Sequence, residues 1–164
     1  MSTLTPQVRA SLLAIYAELE QEVKALAPVC ELSGRCCRFE EYGHRLYITQ
    51  PEADLLLEQG LPPNSEISSA GCPFQIGNRC TARERRPFGC RVYFCDPKYE
   101  GHAPELSEAG IHKLKRLHQI EQIPWNYAEL VVHLEEYVER TEGSGLEEKR
   151  SEGGESDSKP FAKE

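Results

Sequence analysis

The sequence predicts a mainly α domain, with a small α+β arrangement as the alternative, whose helices pack around an irregular cysteine-rich core with one or two short strands. Three observations lead there. Apolar residues recur at helical spacing towards both ends of the chain. Between them, residues 72–104 show no 3.6-residue period. All seven cysteines fall between positions 30 and 95 of the 164.

The first helix is expected over 5–27. Thr5 can cap it, Pro6 suits the first helical position, and Val8, Leu12, Ile15, Leu19, Val23 and Leu26 form one apolar stripe that reads as core packing. Pro28 stops it and leaves Cys30 just beyond its end. HRLYIT, residues 44–49, is rich in strand formers and short enough for one strand. Thr49 and Glu52 have capping-box spacing and open a short helix through Ala53, Leu56 and Leu57, ending near Gly60. The aperiodic stretch 72–104 carries too little apolar surface to hold its own shape, so a bound metal is expected to supply the constraint.

Two more helices are expected at about 105–121 (Ile111, Leu114, Leu117, Ile120) and 125–140 (Tyr127, Leu130, Val131, Leu134, Val138). The short connection at Pro124 makes them antiparallel neighbours. Residues 1–140 thus read as a single cysteine-cluster domain, and 141–164 as a disordered acidic tail without a core-forming pattern.

Charge and hydropathy exclude several classes. A net charge of −8 argues against nucleic acid as a partner. No segment approaches the roughly 20 apolar residues of a membrane span. The N-terminus has early acids and no uninterrupted apolar run, unlike a signal peptide. The chain therefore reads as cytoplasmic, where thiols stay reduced and clustered cysteines point to metal rather than disulfides.

Cys30, Cys36 and Cys37 sit in CELSGRCC, Cys72 and Cys80 in GCPFQIGNRC, and Cys90 and Cys95 in RPFGCRVYFC. Thiolates are soft ligands that select zinc or an iron–sulfur cluster, and each of these commonly takes four cysteines. All seven are candidate ligands, and ligand count leaves the cofactor open between the two. Cys80, Cys90 and Cys95 rank first because they lie among turn formers and arginines. Cys36 and Cys37 are adjacent, so their side chains diverge in a regular backbone. That suits two irons of one cluster better than one ion, although one ligand beside one buried small hydrophobe is an equal reading.

These motifs resemble the YkgJ-type cysteine-cluster family of zinc- or iron-chelating domains. The matching residues are Cys30, Gly34, Cys36 and Cys37, then Cys72, Cys80, Arg86, Pro87, Cys90 and Arg91, with Cys95 closing the set. The resemblance covers about residues 30–95 and implies metal binding without naming a reaction. Ser33 stands where the family has its second cysteine, and a hydroxyl is a poor metal ligand at neutral pH.

Arg35, Arg38, Arg79, Arg83, Arg85, Arg86 and Arg91 crowd the cysteines. Cations there lower thiol pKa values and offset thiolate charge. Arg86 and Arg91, being in the matched motif, are expected to support the ligands, while a solvated face accounts for Arg83 and Arg85. His44 and His102 are spare ligand candidates; His112, His118 and His133 read as surface or satisfied core residues. Tyr42, Tyr47, Tyr93 and Phe94 are expected to shield the centre from water. No nucleophile–base pair stands out, so enzymatic activity stays open. The expected function is metal binding, against two alternatives: a structural zinc module presenting a surface to a protein partner, and a redox or enzyme-accessory component.

Overall fold

The computed structural model describes residues 2–30 and 33–148. Its first helix, α1 (Pro6–Leu26), begins where Thr5 accepts a hydrogen bond from Val8 N and ends with Ala27 in the left-handed region at φ 47°. It buries Val8, Leu12, Tyr16 and Leu19. Tyr16, absent from the expected stripe, is its largest buried side chain, whereas Leu26 stands exposed.

A 3-10 turn (Arg35–Cys37) and the one-turn α2 (Phe39–Tyr42) lead to β1 (Tyr47–Thr49). There Thr49 caps α3 (Gln50–Leu57) with the reciprocal capping-box bonds. β2 (Gln75–Ile76) and β3 (Arg79–Cys80) form a hairpin, with Gly77 at φ 62° in its tight turn. A second 3-10 turn (Arg83–Arg85) and the short α4 (Phe88–Val92) precede α5 (Ala103–Ile120). The chain then enters β4 (Tyr127–Glu129), antiparallel to β1 with Ile48 opposite Ala128, and α6 (Leu130–Glu148). The protein is mainly helical with short strands, as expected.

Two boundaries differ from the sequence reading. Tyr127, expected in the last helix, lies in β4, because Tyr127 pairs with Thr49 and Leu130 N bonds to Leu46 O before the helix begins. α6 then continues past 140 to Glu148. The rest of the expected tail lies outside the described residues. The stretch 72–104 also differs: it buries Phe74, Ala82, Phe88, Arg91, Val92 and Tyr99, and so belongs to the core on its own account.

The core has two parts. One gathers Leu12, Tyr16 and Leu19 of α1, Phe88 and Val92 of α4, and Leu114 and Leu117 of α5. The other gathers Ile48, Leu56, Phe74, Ala82, Leu130 and Leu134. α3 stands between them, sending Leu55 into the first and Ala53, Leu56 and Leu57 into the second. Gly110 lets α5 close on α4: a Cβ there would overlap the Phe88 ring.

Glu52 ties the two parts. It is 1% exposed, and its carboxylate is fully engaged. One oxygen accepts from Thr49 N (2.9 Å) and Thr49 Oγ1 (3.0 Å). The other accepts from Phe88 N (2.8 Å) and the Tyr16 hydroxyl (3.1 Å). A buried carboxylate is tolerable only when its lone pairs are satisfied in this way. Glu52→Gln keeps the shape but offers an amide that cannot serve every donor, so urea denaturation should show a loss of about 2 kcal/mol. Unchanged stability in that variant would remove Glu52 from this role.

Candidate metal centre

All seven cysteines line one cavity of about 550 Å³. They are free thiols. Three separate stretches supply them: the segment after α1, the β2–β3 hairpin with its approach, and α4 with the residues after it. The floor is apolar, made by Leu46, Leu56, Phe74 and Ala82. Against this second core part pack Cys72, Cys80 and Cys90.

Backbone bonds hold the walls together. Cys72 N donates to Cys37 O (2.9 Å), and the Gln75 side-chain amide donates to Gly34 O (2.9 Å). Gly34 sits at φ 73°, and a side chain there would collide with that same amide. Thr81 closes the hairpin base, its N and Oγ1 both donating to Phe74 O at 2.8 and 2.7 Å. Arg38 and Asn78 join the first cysteine segment to the hairpin turn. None of these bonds passes through sulfur.

Cys36 and Cys37 do not diverge as a regular backbone would require. The 3-10 turn places their sulfurs 3.9 Å apart, and both thiols reach the cavity. Cys37 is buried, and Cys72 and Cys80 are among the thiols that influence it. Its thiol is raised, first by its contact with Cys36, then by Cys72, Cys80 and burial. Cys80 and Cys36 move the other way. Cys80 is lowered to about 6, first by the bond from Cys37, then by Ala82 N–H, Arg86 and Arg83. Cys36 is lowered to about 7, again chiefly by Cys37.

Cys90 faces the cavity from within the protein, and burial pushes its thiol well up, helped by the nearby Cys72, Cys36 and Cys80. Cys30 is exposed, and Cys95 lies 3.6 Å from the Ser33 hydroxyl, so Ser33 meets a thiol rather than replacing one. Among the described residues, no group of three or more His, Cys, Asp or Glu side chains is placed to hold a metal ion.

The supporting residues are partly as expected. Arg91 is buried and braces α4. Its Nε donates to Arg86 O (2.7 Å), its terminal nitrogens reach Glu84 O (3.0 Å) and Glu20 (2.5 Å), and its guanidinium covers the Tyr16 ring at 4.3 Å. It touches the frame and does not line the cavity. Tyr93 and Phe94 line it, but Tyr42 and Tyr47 do not. Tyr42 instead sits under Arg35, and Tyr47 packs on Tyr127. His44 is not among the lining residues: it stacks on Tyr93 and its Nε2 lies 3.3 Å from Cys36 O. His102 is exposed before α5, and His133 is buried between Ile48 O and Gln50. Gln75 and Asn78, which no motif singled out, are the wall residues that sequence reasoning missed.

No protein-family model, no curated protein and no solved structure matches this chain.

The thiol electrostatics can be read by alkylation of the reduced, metal-free protein. The thiolate is the nucleophile, so Cys80 should gain reactivity with a midpoint near pH 6 and Cys36 near pH 7. Cys90 should stay protected throughout that range, because burial keeps it protonated. Peptide mass mapping at stepped pH checks this, and equal labelling of the three would contradict it.

Proposed function

We propose that this chain is a metal-binding protein whose cysteines hold an iron–sulfur cluster. The observation that carries the reading is the meeting of seven thiols from three stretches in one cavity of about 550 Å³. Soft thiolates over an apolar floor suit iron–sulfur or zinc chemistry and not hard cations. The volume favours the cluster, since a lone ion would leave most of it unfilled. Thiols strung along a wall can each meet a different iron. Cys36, Cys37, Cys72, Cys80, Cys90 and Cys95 are the candidate ligands, while Cys30 stands exposed. The likeness to YkgJ-type cysteine-cluster domains points the same way. When bound, a cluster supplies one-electron chemistry.

One distance favours zinc as a second reading. A tetrahedral tetrathiolate site with bonds of about 2.3 Å puts neighbouring sulfurs about 3.8 Å apart. The sulfurs of Cys36 and Cys37 are separated by 3.9 Å.

Anaerobic purification, with metal and acid-labile sulfide analysis and a visible spectrum, tests both. A brown protein with iron and sulfide is expected. A colourless protein with about one zinc per chain would move the function to the structural module. A metal-free protein with all thiols titratable would reject metal binding.

Cys80→Ser and Cys90→Ser should each lose the metal. Their melting temperature should fall to that of wild-type protein stripped by a chelator, since the metal stabilises only by mass action on the folded state. Their circular dichroism should keep its helical signal, because the core does not run through sulfur. Metal content equal to wild type in both variants would contradict the ligand assignment.

A further inference from the structure

Beyond the metal, we propose that the cysteine cavity binds a small molecule bearing an oxyanion, a carboxylate or phosphate group, through Arg35, Arg79, Arg83 and Arg86. These four arginines line the cavity, and among the described residues no Asp or Glu does. That is a sharp local inversion in a chain with 27 acidic and 19 basic residues. Elsewhere arginines find carboxylates: Arg9 and Arg85 meet Glu58, Arg45 meets Glu129, and Arg91 meets Glu20. The four cavity arginines have no such partner among the described residues. Arg116 and Arg140 also lack one, but they stand singly on α5 and α6. Arg35, Arg79 and Arg83 are exposed as well and Arg86 is half-buried; what sets the cavity apart is that four arginines converge on one hollow.

The lining of four arginines and no carboxylate among the described residues does not depend on the metal-centre reading. Each guanidinium presents a donor fork that matches an oxyanion by two parallel bonds. Arg86 spends its Nε on Arg83 O (3.1 Å), which fixes its plane and leaves its terminal nitrogens to donate. A long polyanion is disfavoured, because the net charge of −8 opposes its approach over the remaining surface.

Calorimetric titration of the anaerobically purified protein, with inorganic phosphate and with succinate as separate titrants at low salt, tests the site. Saturable binding of at least one is expected, and the better titrant identifies the group. Arg79→Gln combined with Arg83→Gln should weaken it about tenfold or more, with metal content and circular dichroism unchanged. Both side chains are exposed enough for the fold to survive their replacement. The conservative pair Arg79→Lys and Arg83→Lys should keep part of the affinity.

Absence of saturable binding by either titrant overturns the proposal. So does equal affinity in wild type and double variant. Loss of metal together with anion binding also overturns it, because the arginines would then only balance the centre. Arginine-dependent binding by a chain that proves to hold no metal upholds the anion site while rejecting the proposed function.

Discussion

A single buried carboxylate, Glu52, is the constraint on which the arrangement of helices depends. It sits one turn into α3, yet its four hydrogen bonds reach β1, α4 and α1. Moving an ion of this size out of water is costly unless every lone pair is met. The three elements are therefore obliged to converge on it. The Tyr16 hydroxyl that bonds Glu52 also has Arg91 lying over its ring. Through that contact the orientation of α4, and with it the position of Cys90, is coupled to α1. Burial and the adjacent carboxylate raise the Tyr16 pKa, which keeps it a donor.

Around this point the two core parts divide the labour. The α1–α4–α5 part is ordinary helix packing. The other part supports the β1–β4 pair on one side and gives the cysteine cavity its apolar floor on the other. Cys72, Cys80 and Cys90 pack against that floor, so sulfur positions inherit the rigidity of aliphatic packing. His44 adds a brace from outside, its ring stacked on Tyr93 and turned towards the Cys36 carbonyl.

Much of this was legible in the sequence, and the boundary has a physical cause. Stripes at helical spacing located α1 and α5, and the Thr49–Glu52 spacing located the cap of α3, because both signals are local. The second oxygen of Glu52 was not legible, since its partners Tyr16 and Phe88 lie 36 residues away on either side. β4 was missed because three residues pairing with a distant strand leave no period of their own. The grouping of cysteines was plain, but their meeting was not. It depends on the 3-10 turn at 35–37 and on Gly34 approaching Gln75, both settled by long-range packing. The same limit hid which arginines pair with carboxylates and which, among the described residues, stand at the cavity without one.

The bonds that fasten the cavity walls run from amide to carbonyl, from Cys72 to Cys37 and from Gln75 to Gly34. In small zinc domains the chain is shapeless until the ion arrives, and removing the ion dissolves the site. Here the wall bonds are made by the backbone and one amide side chain. Were the cavity to take up a guest, its departure would leave those bonds in place, so exchange would not by itself require the chain to refold.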